Sequence, residues 1–336
     1  MLREALLYKK LTDKKVSCFL CSHYCVISDG NSGICQVRQN KDGTLYTYAY
    51  GEVAAANIDP IEKKPIFHML PGSTSFSIAA AGCNFHCGFC QNWQISQKKE
   101  ADRAGVRLEP MAPEEIVDFA LKHKCKSISY TYTEPTIFFE YALETAMLAK
   151  TKGLYNVFVT NGYMTKDALK MLQPYLDAAN VDLKFFNDES YRRVCGAKLK
   201  PVLDSIVSMR KMNIWVEVTT LVVPGENDSS QELKRIASFL AETGKEIPWH
   251  ISCFHPDYKM PDKEPTPLSK LKDAYQFGKE AGLRYVYIGN VLEQVKTYCY
   301  KCARGLISRL GFNVIENNLK DGKCPDCNTG LDGVAL

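Results

Sequence analysis

Cys83-Asn84-Phe85-His86-Cys87-Gly88-Phe89-Cys90 is the stretch from which the rest of the chain can be read. Three cysteines stand at C-x3-C-x2-C spacing, with an aromatic residue just before the last. Three thiolates on one short loop can hold three irons of a cubic [4Fe–4S] cluster, whose full cysteine set numbers four. No nearby cysteine supplies the fourth, so one iron would stay open to a small molecule. A structural zinc site closes its coordination shell, which a three-thiolate loop alone does not do.

Outward from this loop, short apolar runs rich in β-branched residues recur at 76–80, 127–132, 155–160, 179–183, 214–223, 249–254 and 285–289. After the first, their centres are roughly 24–37 residues apart, the spacing of βα units. Helix punctuation agrees: Pro113 opens a helical pattern over 114–122, Asp228 or Ser229 caps one over 231–242 before Gly244, and Pro267 opens one over 268–281 before Gly282. Alternating strands and helices imply a parallel sheet. The expected fold is therefore α/β: a partial (β/α)6-type TIM barrel over residues 73–292. Chemistry gathers at the C-terminal ends of such strands. Here those ends read Tyr132-Thr133-Glu134-Pro135, Thr160-Asn161-Gly162, Asp182-Leu183-Lys184, Val222-Val223-Pro224-Gly225, Phe254-His255-Pro256 and Gly289-Asn290, while the strand bodies are apolar. The cysteine loop follows the first strand at the same rim.

Two further cysteine groups flank the barrel. Cys18, Cys21, Cys25 and Cys35 lie at C-x2-C-x3-C-x9-C spacing within a module and connector over 1–72. Zinc is the default for a small four-cysteine site, and a second iron–sulfur cluster is the rival. Cys299, Cys302, Cys324 and Cys327 form two C-x2-C knuckles in a tail over 293–336, a zinc-ribbon-like pattern. Between the first module and the barrel, residues 57–72 read as a proline-punctuated, solvated connector. Lys63, Lys64 and His68 on it are the alternative lining for an anionic substrate. Cys125, Cys195 and Cys253 are isolated and read as core residues.

The totals agree with a metal protein. Eleven of the 14 cysteines fall in these three groups, which is what metal sites require. The apolar fraction of 46% and charged fraction of 24% are those of a globular chain. No apolar run approaches the ~20 residues of a membrane helix. The first eight residues lack a signal peptide's apolar core, so the expected location is the cytoplasm. A net charge of +4 does not demand nucleic acid. A zinc-module RNA-binding protein is a competing reading, but the tail lacks the interleaved basic and aromatic residues that stacking on nucleic acid needs.

Residues from about 76 to 290 resemble the pyruvate formate-lyase activating enzymes of the radical S-adenosylmethionine (SAM) superfamily. The carriers are the cysteine loop, Thr133-Glu134-Pro135, Thr160-Asn161-Gly162, Asp182-Leu183-Lys184, Val222-Val223-Pro224-Gly225 and Phe254-His255. Asp59-Pro60-Ile61-Glu62-Lys63-Lys64-Pro65, Phe254-His255-Pro256-Asp257-Tyr258 and both flanking modules make the whole chain similar to the AmmeMemoRadiSam system radical SAM enzymes. The resemblance implies a [4Fe–4S] cluster on Cys83, Cys87 and Cys90 and SAM on its open iron. Reductive SAM cleavage to a 5′-deoxyadenosyl radical follows, with a flavodoxin or ferredoxin as electron donor. It also implies SAM contacts from Phe89, Thr133, Glu134, Asn161, Asp182, Lys184, Val223 and His255. Glu134 is expected to bind the SAM ammonium, though a carboxylate there can also serve the helix dipole. Asp182 and Lys184 share one side of a strand end; Lys184 can hold a carboxylate, and Asp182 an amine, a hydroxyl or a cation. Two departures stand out. Val159 replaces the Asp that accompanies a monovalent cation. The strand before Val223-Pro224-Gly225 offers Glu217, Thr219 and Thr220 where many relatives carry Arg. The substrate expectation is a protein glycine, or another peptide or small molecule handled with AMMECR and Memo proteins.

Overall fold

Seven consecutive β-branched runs can share one sheet only if each returns through a crossover, and the computed structural model has that arrangement. It describes residues 2–97, 105, 107–291 and 293–336. At its centre is one eight-stranded sheet. Its strands are β1 (Ala55–Pro60), β2 (Thr74–Ala79), β3 (Ser127–Tyr130), β4 (Tyr155–Thr160), β5 (Ala178–Asp182), β6 (Trp215–Val222), β7 (Trp249–Cys253) and β8 (Val286–Gly289). Helices α1 (Pro113–Lys122), α2 (Phe139–Thr151), α3 (Lys166–Leu172), α4 (Leu199–Lys211), α5 (Ser230–Thr243) and α6 (Leu268–Glu280) fill the connections from β2 to β8. Strand order across the sheet is chain order. Strands β2 to β8 pair in parallel, and β1 joins β2 antiparallel. Crossovers between sequential parallel neighbours are right-handed as a rule, and this strand order suits helices gathered on one face of a curved sheet. The seven expected runs became β2–β8, with ends displaced by a residue or two.

The helix starts follow local chemistry. Pro113 opens α1, and Glu115 reaches back to the Ala112 N–H at 2.6 Å. Ser229 caps α5 through the Glu232 N–H, and Thr165 caps α3 through the Ala168 N–H. None of the helices is long and apolar enough to cross a membrane among the described residues.

The connector expectation is corrected. Residues 55–60 are the sheet's edge strand, and those that follow plug the barrel floor. Ile61, Ile66 and Met69 are fully buried against Val157, Ala178 and Trp215, residues at or near the starts of their strands. Backbone N–H groups of Phe67 and His68 donate to the Glu217 carboxylate at 3.0 and 2.8 Å. Trp215 Nε1 and His250 Nε2 meet the same carboxylate at 3.0 and 2.6 Å. Lys63 and Lys64 both pair with Asp59, at 2.9 and 2.6 Å. The His68 ring lies between Asp332 O and the Tyr287 hydroxyl, each at 2.7 Å. These groups are therefore engaged by the protein, not held at the mouth for an anion. The strand bodies also differ from expectation. Ser75, Asn180, Glu217 and His250 are buried polar residues, tolerated because the plug and neighbouring strands satisfy them.

The C-terminal strands Gln294–Tyr298, Gly305–Leu310 and Asn313–Asn317 form an antiparallel ribbon. It docks on this same floor. Arg309, fully buried, donates to Phe67 O at 2.7 Å, and its guanidinium carbon lies 4.3 Å from the Phe67 ring centre. The N-terminal module adds two three-stranded antiparallel sheets, Arg3–Glu4/Thr44–Thr47/Arg38–Lys41 and Tyr8–Lys10/Val16–Cys18/Val26–Ile27.

Candidate active site

The cysteine loop leaves β2 through Gly82, whose φ is +110°. A Cβ there would lie 2.7 Å from Val37 Cγ1, so only glycine lets the N-terminal module pack this closely. The loop backbone is held on several sides. His86 N–H donates to Cys195 O at 2.9 Å and Gly88 N–H to Val194 O at 3.2 Å. Lys259 N–H reaches Gly88 O at 3.0 Å, and His23 Nε2 lies 2.8 Å from Asn84 O. Phe85 is wedged edge-on between Tyr163 and Tyr191. Asp257 accepts from Trp93 Nε1 at 3.2 Å, and Tyr258 stacks on the Trp93 ring. The segment after β7 thus folds back over the loop's C-terminal flank.

Cys83, Cys87 and Cys90 sit together beneath this clamp. Phe85 N–H points at Cys83 Sγ from 3.3 Å, and Cys90 Sγ is 3.1 Å from Ser96 Oγ. Burial pushes the Cys83 and Cys90 thiols up; hydrogen bonding from Cys195 outweighs burial at Cys87 and pulls its thiol down. Cys195, isolated in the sequence, therefore belongs to the surroundings of this loop. Buried Asn84 Nδ2 has no hydrogen-bond partner among the described residues. An orphan donor on the three-cysteine loop suits a sulfide-bearing cluster, whose sulfurs accept hydrogen bonds. The donor set and this orphan both fit a [4Fe–4S] group.

The strand ends arrive around the loop with different roles. Lys184 bonds Asp182 at 2.8 Å and stands 5.7 Å from the Phe89 ring centre. Burial would lower its pKa, but Asp182, Cys87 and Cys195 outweigh burial and raise it well above the ordinary lysine value. Lys184 is thus a fixed cation facing the cysteine loop, and Asp182 beside it is partly exposed at 34%. Asn161 Nδ2 donates to Asn84 Oδ1 at 2.7 Å, joining the Thr-Asn-Gly turn to the loop. In that turn Gly162 has φ +69°, and a Cβ would come within 2.8 Å of Val181 Cγ1. Thr133 Oγ1 donates to Ala80 O at 2.8 Å. Phe89 is buried against Phe185. His255 is exposed at the end of β7.

Two residues expected at SAM have their polar groups engaged within the chain. Glu134 is 2% exposed. Its Oε1 accepts from Thr136 N–H at 3.0 Å, the Thr136 hydroxyl, and Thr160 Oγ1 at 2.7 Å; Oε2 accepts from Asn161 N–H at 2.7 Å. The carboxylate caps the 3-10 turn Pro135–Phe138 and ties the ends of β3 and β4 together. In this structure both carboxylate oxygens are engaged by Thr136, Thr160 and Asn161. Val223 is fully buried in the core, its N–H taken by Asn227 Oδ1 at 2.7 Å. Sequence reasoning missed Thr136, Thr160 and Asn84, whose roles depend on pairings between strands. It also missed the left-handed backbone at Tyr132, φ +63°, where glycine is the usual occupant.

At the barrel's other end, Cys299, Cys302, Cys324 and Cys327 place all four sulfurs within 4.8 Å of one another. Cys299–Cys327 and Cys302–Cys324 are each 3.6 Å apart. One tetrahedral ion with metal–sulfur bonds of about 2.3 Å fits that spacing.

The profile of the radical SAM superfamily matches residues 77–240. An uncharacterized protein of Methanocaldococcus jannaschii is 45% identical over 336 residues, covering 98% of this chain and 99% of its own. A second protein of that organism, a putative glycyl-radical enzyme activating enzyme, is 28% identical over 184 residues, 54% of this chain and 67% of its own. Among solved structures, Streptococcus suis SuiB bound to the precursor peptide SuiA aligns over 68% of this chain and 51% of its own, with a TM-score of 0.51 at 14% identity. With the cysteine loop, the sequential parallel sheet and these likenesses in place, the chain belongs to the radical SAM superfamily, whose enzymes use a [4Fe–4S] cluster and SAM.

Proposed function

We propose that Cys83, Cys87 and Cys90 ligate the cluster and that this enzyme directs radical chemistry at a protein or peptide substrate, a backbone glycine being the favoured hydrogen donor. The bound cluster supplies the electron that cleaves SAM to methionine and a 5′-deoxyadenosyl radical. The chain's own residues do the rest. Lys184 holds the SAM carboxylate, Asp182 its ammonium, and His255 borders the nucleoside from the rim of β7. Asn161 orients the loop through Asn84, and Glu134 fixes Asn161 in turn. The Phe254–Tyr258 segment, stacked on Trp93, limits water at the loop.

One observation carries the substrate reading. The connector that could have lined a pocket for a small anion, residues 57–72, is spent on the sheet edge and the floor. That segment therefore does not close over the strand ends, which favours a large substrate. The name of the 28%-identical relative and the peptide held by SuiB point the same way. An electron donor of the flavodoxin or ferredoxin class and AMMECR or Memo proteins as partners complete the proposal, the latter on the sequence resemblance. Zinc in the C-terminal tetrad is part of the same reading. The test is deuterium transfer: cluster-loaded enzyme, SAM, reductant and a glycine-deuterated protein or peptide should yield deuterated 5′-deoxyadenosine. Deuterium arriving instead from small metabolites would sink the substrate reading. Absence of SAM cleavage under any reducing condition would sink the reaction itself.

A further inference from the structure

The three cysteine groups do not share one geometry. Among the described residues, the C-terminal tetrad alone draws its sulfurs to within 4.8 Å of one another. A single tetrahedral ion demands this, because metal–sulfur bonds of about 2.3 Å force sulfurs to roughly 3.8 Å. A cubane spreads its thiolates over separate irons and keeps them farther apart. Neither Cys83, Cys87 and Cys90 nor Cys18, Cys21, Cys25 and Cys35 form such a close set among the described residues. The N-terminal four are nonetheless gathered about one place. Cys21 lies within electrostatic reach of Cys18, Cys25 and Cys35. Cys18 N–H donates to Cys25 O at 2.9 Å. Arg38, 2% exposed, stands beside Cys18 and Cys35 while Glu140 fixes its guanidinium at 2.5 and 2.6 Å. The buried Arg38–Glu140 pair thus turns its cationic end toward two of the sulfurs.

Position adds a second argument. A Cβ on Gly82, the residue before Cys83, would lie 3.3 Å from Cys35 O. His23, between Cys21 and Cys25 in the chain, meets Asn84 O of the cysteine loop at 2.8 Å. The N-terminal group therefore abuts the loop where an electron must arrive, whereas the C-terminal tetrad sits on the ribbon docked at the barrel floor. Zinc has no redox chemistry to offer there. We infer that Cys18, Cys21, Cys25 and Cys35 hold a second [4Fe–4S] cluster that passes single electrons to the cluster on Cys83, Cys87 and Cys90. In that step the N-terminal cluster is oxidised and the loop cluster reduced by one electron, with no bond made or broken. A one-electron donor protein of the flavodoxin or ferredoxin class replaces the electron.

Metal analysis tests the site without relying on activity or on the substrate. Anaerobically reconstituted full-length protein should carry about eight irons and one zinc, from two four-iron clusters and one zinc site. The Cys83→Ala/Cys87→Ala/Cys90→Ala variant should keep about four irons in a cluster whose EPR signal ignores added SAM. About four irons with two zincs in the wild-type protein overturns the assignment, and this count does not depend on any variant folding. For the relay, the Cys21→Ser/Cys25→Ser variant should keep a SAM-responsive loop cluster reducible by dithionite, but its reduction by a flavodoxin should slow at least tenfold. An unchanged rate with flavodoxin overturns the relay.

Discussion

Glu134 separates two mechanisms that the sequence alone leaves together. If its carboxylate bound the SAM ammonium, removing it would weaken SAM binding and leave the fold alone. The structure instead gives it four hydrogen bonds within the chain and 2% exposure. Glu134→Ala removes a cap, worth about 0.5–2 kcal/mol. It also strands the buried Asn161 N–H and the Thr160 hydroxyl, at about 1–3 kcal/mol each. Because Thr160 Oγ1 also accepts the Gly162 N–H at 3.1 Å, the turn after β4 loosens with it. The expected destabilisation is about 4 kcal/mol, and about 2 kcal/mol for Glu134→Gln, which keeps one acceptor but turns an amide toward Asn161 N–H. Urea denaturation of both variants, alongside EPR titration of the reduced cluster with SAM, reads both quantities. Stability within about 1 kcal/mol of wild type in both, together with a tenfold or greater loss of SAM affinity, would refute the positioning role and restore the direct contact.

Lys184→Met should weaken SAM binding roughly tenfold to a hundredfold, the value of a charge-assisted hydrogen bond of about 1.5–3 kcal/mol. The cluster should remain, and an unchanged SAM titration would mean that the carboxylate is held elsewhere. Cys324→Ser should release about one zinc and lower the melting temperature while leaving the SAM-dependent EPR change intact, because the tetrad organises the ribbon under the barrel floor. Loss of the EPR change in folded protein would contradict that separation. Glu217 supplies a pH dependence. Burial would raise its pKa, but the His250 hydrogen bond, His68 and the Phe67 N–H outweigh burial and hold it at about 2. A carboxylate with a depressed folded pKa stabilises above its unfolded value and loses that contribution as pH falls toward 2, here about 3 kcal/mol. Glu217→Gln, less stable overall, should show a correspondingly flatter stability profile between pH 5 and 2; an unaltered acid slope would show that the carboxylate is not ionised in the floor.

What could be read from the sequence was local. The C-x3-C-x2-C loop, Pro113, Ser229 and the β-branched runs each carry their meaning within a few residues, so the strands and the cluster loop followed from them. The floor plug could not be read this way. Lys64, His68 and Glu62 among three prolines look like solvated chain, and their burial depends on Asp59, Tyr287 and Arg309; His68 and Arg309 reach across 219 and 242 residues to their partners in the barrel and the plug. The same limit explains Glu134 and Cys195. Glu134 was legible as a strand-end carboxylate, but its direction is set by Thr160 and Asn161 on the next strand. Cys195 has no cysteine near it in sequence, yet its carbonyl binds His86 inside the loop.

The two ends of the barrel explain why similar cysteine motifs have unlike consequences. At the floor, Glu217, His250 and His68 already join the plug to β6, β7 and β8, and the ribbon adds Arg309 to that closed set. A metal there can tighten packing but has no path to the chemistry other than through the whole sheet. At the mouth, the N-terminal module shares hydrogen bonds with the cysteine loop itself and with the turn after β4, where Ser22 N–H meets Tyr163 O at 2.9 Å and Thr165 Oγ1 meets Phe19 O at 2.8 Å. A change of charge or position among Cys18–Cys35 is therefore transmitted directly to Asn84 and Asn161, the residues that set the loop. Substitutions in the two modules should divide accordingly, with C-terminal ones altering melting temperature and N-terminal ones altering the potential of the loop cluster while leaving it SAM-responsive. A C-terminal variant that shifts that potential without unfolding the ribbon would break this division.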